Sequence, residues 1–225
     1  VHSLKDVPTR LPDGLVLAAV TAREDPRDVL VTHDGRGLEA LPADARVGTS
    51  SLRRAAIWRA AYPSMAVVPV RGNLGTRLGR LGGPVDALIV AAAGLHRMGQ
   101  QHLVATYLDP GWMVPAPGQG ALGVEVRADD RVARERAAWV EDATVRRATV
   151  AERRILDALG GNCQIPVGAY ARVADGAWEV SVLVGAGAHG GSAKPRTWSW
   201  RGAELEAGID WILDELAGSG KEVLP

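Results

Sequence analysis

The stretch RVGTSSLRRAAIWRAAYPSMAVVPVRGNLGTRLGRLGGPVDALIV (residues 46–90) decides the fold. Arg46–Thr49 reads as a short strand. Ser50 or Ser51 can cap a helix over SLRRAAIWRAAY, and Pro63 terminates it because proline cannot continue the hydrogen-bond ladder. Met65–Val70 reads as a second strand, and Gly72-Asn73 as a turn. Leu74–Leu81 is a short helix broken by Gly82-Gly83-Pro84. Val85–Val90 is a buried strand, followed by a helix near Ala91–Met98. Strand, helix, strand, helix, strand predicts an α/β fold with a parallel sheet, whose ligands bind beyond the strands' carboxyl ends, near helix N-termini.

The same stretch is charged in one sense only. From Val47 to Val85 it holds six arginines (Arg53, Arg54, Arg59, Arg71, Arg77, Arg80) and no lysine, aspartate or glutamate, in a chain of zero net charge. Such a run can be a solvated face. Here Arg53, Arg54, Arg71 and Arg77 closely follow strand ends, which gathers them at one rim and favours anion binding. Arginine suits planar carboxylate or phosphate recognition, and Lys5, Lys194 and Lys221 are the only lysines.

Outward from this stretch, residues 14–20 (GLVLAAV) read as a strand, Glu24–Asp28 as a Pro-locked turn, and Asp28–Thr32 as a further strand before a loop at Gly35 and Gly37. On the other side lie a Pro/Gly-rich loop (MVPAPGQG, 113–120) and a strand at Ala121–Arg127. A helical segment follows from Asp130 to Leu159, with a break near Asp142–Thr144 and an end at Gly160-Gly161. Strands at Ile165–Val173, Trp178–Val184 and Thr197–Arg201, a glycine-rich connector at 185–191 and a helix at Ala203–Leu216 make a small α+β unit. There is no internal repeat.

The 225 residues are 47% hydrophobic and 23% charged, which excludes a disordered chain or a coiled coil. The longest apolar stretches, such as Ala87–Leu95, are too short to span a bilayer, so no membrane association is expected. The chain opens at Val1 inside an apparent strand, without a charged leader and apolar core, so the expectation is that a further N-terminal segment precedes it. A single cysteine can form neither an internal disulfide nor a cysteine cluster, and the five histidines lack ligand spacing. No metal is expected, and a cytoplasmic location is. With no apolar stripe beyond what a core needs, the expected state is a monomer.

Two places could carry covalent or acid–base chemistry. In VHSLKDVPT (1–9), Lys5 and Asp6 sit in a turn whose exit Pro8 forces to be extended. Alone, they read equally as a solvated charge pair. Cys163 lies in Gly160-Gly161-Asn162-Cys163-Gln164-Ile165-Pro166, between helix and strand. A lone cysteine is commonly a small buried hydrophobe, but one at a helix end can also be a nucleophile or attachment point.

Taken together, VHSLKDVPT (1–9), VGTSSLRRAA (47–56) with VRGNLGTRL (70–78), PGQGALGVEVR (117–127) and GGNCQIPVGAYA (160–171) resemble the porphobilinogen deaminases (hydroxymethylbilane synthases) in content and order. The resemblance implies two-lobed domains of the periplasmic-binding-protein kind plus a small α+β C-terminal domain. It implies a transferase of tetrapyrrole (haem, porphyrin) biosynthesis that deaminates four porphobilinogen molecules and joins them into hydroxymethylbilane. The primer would be a dipyrromethane cofactor, thioether-linked to Cys163. Asp6 matches the catalytic carboxylate, with Lys5 beside it. Arg53, Arg54, Arg71 and Arg77 match arginines that hold acetate and propionate groups, and Arg97 in GLHRMG joins them. Ser3, Thr49 and Ser51 match polar groups near the cofactor. The chain departs from the family pattern by lacking a further N-terminal stretch, by Asn162 where many relatives have glycine, and at Ala116-Pro117.

The expected division is residues 1–21 and 121–140 as what remains of domain 1, residues 22–120 as domain 2, and residues 141–225 as domain 3. Two rival functions remain. A non-catalytic anion-binding module of periplasmic-binding-protein type would use the same architecture but needs neither Cys163 nor Asp6. Nucleic-acid binding through the arginines is disfavoured by the zero net charge.

Overall fold

The structure, a computed structural model, describes residues 1–160, 165–185 and 194–218. Its elements are β1 (His2–Ser3), β2 (Leu15–Val20), β3 (Asp28–Thr32), β4 (Arg46–Gly48), α1 (Leu52–Ala61), β5 (Ala66–Val68), α2 (Leu74–Leu78), β6 (Ala87–Ala91), α3 (Ala92–Arg97) and β7 (Thr106–Tyr107). They continue with β8 (Leu122–Arg127), α4 (Arg131–Ala137), α5 (Ala143–Ala158), β9 (Val167–Ala174), β10 (Ala177–Val184), β11 (Arg196–Gly202) and α6 (Leu205–Gly218). The strands form three sheets, ordered β1-β8-β2, β5-β4-β6-β3-β7 and β11-β10-β9. The fold is α/β, as expected, with a small C-terminal sheet unit.

In the central sheet, β4 runs parallel to both β5 and β6, with Val47 opposite Val67 on one side and Ala87 on the other. The sheet is mixed, because β3 lies antiparallel to β6 and β7 antiparallel to β3. Successive strand residues point to opposite faces, and β3 and β6 are apolar on both. Leu30 and Ile89 pack with Val47, Ile57 and Trp58 on one face. Val29, Val31, Leu88 and Val90 pack with Leu95 on the other. Two residues of β7 carry no strand pattern, so only pairing with Val29 and Leu30 makes them a strand.

Helix starts follow local chemistry. Ser51 accepts from Arg54 N at the start of α1, Asn73 from Thr76 N before α2, and Asp142 from Val145 N before α5. Ala148, Ala151 and Ile155 of α5, with Leu159 directly after it, recur at helical spacing and pack on Val167, Ala169, Val180 and Val182 together with Ile209 and Ile212 of α6. The Lys5–Asp6 turn is a 3-10 turn, Leu4–Asp6, anchored by the fully buried Leu4.

Two crossover segments join the first and central sheets and pass side by side. Thr21 N donates to Leu122 O and Glu24 N to Gly120 O, both at 3.0 Å. Gly120 has φ +92°, and a Cβ there would stand 2.3 Å from Glu24 O, so this approach admits only glycine. The C-terminal unit docks on the same segments. Glu152 of α5 has no exposed surface. Its carboxylate accepts from Arg23 Nη1 (2.6 Å), Gly118 N (2.7 Å) and Ala171 N (2.8 Å), which belong to one crossover, the other, and β9.

Candidate active site

A cleft of about 590 Å³ opens where the three sheets meet. The end of β1 and the turn after it supply Ser3, Lys5 and Asp6, and the start of α1 supplies Ser51, Arg53 and Arg54. Arg77 of α2 and Arg97 of α3 line it as well. Ser50 and Leu52, at the start of α1, also line it, and the positive end of the helix dipole adds partial positive charge there. Ile165 and Val167 of the C-terminal unit contribute to the lining.

Two sequence-derived candidates are not part of this lining. Thr49 is buried, and its Oγ1 instead accepts from Ser51 N at 3.2 Å, shaping the turn that caps α1. Arg71 is exposed outside the lining, because the chain turns at Gly72-Asn73 and presents those residues and Arg77 instead. Cys163 lies outside the described residues.

The arginines are not all unopposed, as the acid-free run 47–85 had suggested. Asp28, from the neighbouring β3, stands 2.7 Å from both Arg53 Nη2 and Arg54 Nη2. Arg54 Nε donates to Asp28 Oδ1 (3.0 Å), and Arg53 Nη1 to Val114 O (2.6 Å). Burial would raise the Asp28 carboxyl, but Arg53 and Arg54 outweigh it and hold it at about 2. One carboxylate beside two guanidiniums leaves a net positive charge and allows both arginines to be almost fully buried. Arg77 and Arg97 differ, being held by carbonyls: Arg77 Nε donates to Gly72 O and Arg97 Nη2 to Gly120 O, both at 2.7 Å.

Lys5 is half-buried, with its Nζ 3.3 Å from Gln119 Oε1. Burial, then the nearby Arg54, lowers its ammonium from 10.5 to about 8, against the attraction of Asp28 and Asp6. Asp6 is exposed on the cleft wall. Sequence reasoning missed Asp28 and Gln119. The only signal for Asp28 was an acid inside the otherwise apolar strand DVLVT, and Gln119 was masked by its Pro/Gly-rich loop.

A family model described as "Porphobilinogen deaminase, dipyromethane cofactor binding domain" matches residues 1–135, and one for the C-terminal domain of the same enzyme matches residues 147–188. The chain belongs to the porphobilinogen deaminase family. Its first part is therefore that family's cofactor-binding domain, for the dipyrromethane group. A porphobilinogen deaminase of Syntrophobacter fumaroxidans is 51% identical over 185 residues, covering 82% of this chain and 60% of that protein. One from Chromobacterium violaceum shows the same identity and coverage. The chain thus spans about 60% of the length of these curated relatives. Among solved structures, a periplasmic substrate-binding protein from Coxiella burnetii superposes with a TM-score of 0.38 at 13% identity, covering 60% of this chain and 65% of that one. Family membership does not favour the rival reading of a non-catalytic binding module. Among the described residues, no helix is long and apolar enough to cross a membrane.

Proposed function

We propose that this chain is the greater part of a hydroxymethylbilane synthase, which deaminates porphobilinogen and joins four molecules head to tail. The observation that carries the reading is a single cleft in which the exposed Asp6 faces Arg53, Arg54, Arg77 and Arg97. The donor set fits a dipyrromethane with carboxylate side chains: guanidiniums, a helix N-terminus, and a buried Arg53 Nε without a hydrogen-bond partner among the described residues. When bound, that group supplies the free pyrrole α-carbon that starts the chain. Its attachment point is Cys163, two residues before Ile165, which lines the cleft.

The chain's own residues then have distinct tasks. Arg77 and Arg97 pair with substrate carboxylates, and Arg53 and Arg54 extend that field. Breaking the C–N bond of the substrate's aminomethyl group releases ammonia and leaves a positively charged methylene-pyrrole. Asp6 stabilises that charge, accepts hydrogen bonds from pyrrole N–H groups, and takes up the proton lost when the new C–C bond forms. Lys5 balances Asp6 and holds acidic groups nearby. Ser3 and Ser51 offer hydroxyls to the bound rings. Thr49 supports Ser51 from behind, and Arg71 serves carboxylates arriving from outside the cleft.

The reading extends to three domains, namely residues 1–21 with 121–140, 22–120 and 141–225, and to a cytoplasmic monomer that binds neither nucleic acid nor membrane. The three separate sheets support the division. The deciding experiment is the mass of the Cys163 peptide from the N-terminally complete protein, denatured after exposure to porphobilinogen. A two-pyrrole adduct on Cys163 is expected, and an unmodified Cys163 overturns the reading.

A further inference from the structure

We infer that Gln119 is a positioning residue for Lys5, its amide bridging the Lys5 ammonium to the buried pair of Asp28 and Arg54. The inference rests on the reading of Lys5 as a working group of the cleft. Gln119 is only 1% exposed and lies in the returning crossover, beside the glycine-only approach at Gly120. Its Nε2 donates to Pro26 O at 2.7 Å and to Asp28 Oδ1 at 2.8 Å. Its Oε1 accepts from Lys5 Nζ at 3.3 Å and stands 3.5 Å from Arg54 Nη2.

These surroundings determine which way the amide points. Two acceptors face its nitrogen and two cations face its oxygen. The reversed amide would set N–H against Lys5 and Arg54, and oxygen against Asp28. Gln119 is thus held from three sides, whereas Lys5 ends a flexible four-carbon stem. Among the described residues this is the only side-chain hydrogen bond that Lys5 makes. The charged groups around Lys5 pull in opposite senses: Arg54 and Arg53 repel it, Asp28 and Asp6 attract it. A neutral acceptor can hold the ammonium without changing that balance. It also ties the turn after β1 to β3, so the position of Lys5 follows the relation between the first and central sheets.

The test is a double-mutant cycle in the N-terminally complete enzyme, reading kcat and KM for porphobilinogen in the parent, Gln119→Met, Lys5→Met and the double variant. Gln119→Met is expected to lower kcat about tenfold with a smaller change in KM. The double variant should be no slower than Lys5→Met alone. Losses that multiply overturn the inference, because Gln119 then acts without Lys5. A Lys5→Met enzyme with parental kcat removes the reading of Lys5 itself, and the inference with it. If Gln119→Met does not fold, Gln119→Asn decides. Its amide has the same polarity but is one methylene shorter, so it cannot reach both Asp28 and Lys5; it takes the place of Gln119→Met in the same cycle, and losses that multiply with Lys5→Met overturn the inference.

Discussion

Asp28 lies fully buried between two guanidiniums, and its charge is what permits Arg53 and Arg54 to be buried beside it. Its carboxyl is held at about 2, below its ordinary 3.8. The stability this contributes is therefore fully present above about pH 4 and is lost as pH falls toward 2. The gap corresponds to about 2 kcal/mol. In Asp28→Asn this acid-dependent part is absent, so the difference in unfolding free energy between parent and variant should shrink as pH drops from 4 to 2. A difference that stays constant in urea titrations across that range contradicts the assignment. Asp6 makes the opposite case, since it is exposed on the cleft wall and its proposed role is there. Asp6→Asn should keep the parent's unfolding midpoint and lose at least about 100-fold in kcat, as removal of a positioned charge commonly does. Steady-state turnover near the parental value would exclude it.

Among the elements, the crossovers matter more than their irregular appearance suggests. Their close approach at Gly120 leaves no room for a Cβ, and the same carbonyl that bonds Glu24 N also receives Arg97. Gly120→Ala should therefore cost about 2 kcal/mol or more of stability, from the positive φ and the clash together. Denaturant unfolding reads this directly, and Gly83→Ala is the control, because a Cβ at Gly83 meets only Arg80 O at 3.8 Å. Element order was legible in the sequence because period and punctuation are local. Ser50 or Ser51 announces a helix start, the turn at Gly72-Asn73 and the break near Asp142 mark two more boundaries, and Pro63 and the glycine pairs announce ends. The reading missed β7, whose two residues become a strand only through β3.

At the scale of the molecule, one carboxylate ties the C-terminal unit to both crossovers. Glu152 meets Arg23, Gly118 and Ala171, and Arg23 Nε also donates to Gln119 O at 2.8 Å. Removing one partner of such a buried pair leaves the other charge uncompensated, at a cost of about 3–5 kcal/mol. Glu152→Ala should accordingly lower the unfolding midpoint and speed proteolytic cleavage near residues 114–120, where Val114 and Pro115 line β9. Arg23→Ala should reproduce both effects, and the double variant should be little worse than either single one.

The sequence by itself determined the family and the candidate residues of the first turn of α1 and of the turn after β1, through the resemblance of its four motifs; it also determined the α/β class and the order of the elements apart from β7. The class, the element order and the positive charge of 47–85 follow from local rules: hydrophobic period, caps, breakers, and the charge of nearby residues. Only the tertiary structure decided that Asp28 partly neutralises Arg53 and Arg54, that Thr49 and Arg71 stand outside the cleft lining, and that Gln119 and Glu152 connect segments far apart in the chain. The physical reason is separation. Asp28 is 25 residues from Arg53, and Gln119 is 114 from Lys5, so no local pattern marks the pairing. Burial then turns these distant encounters into strong ones, because charges removed from water must find each other.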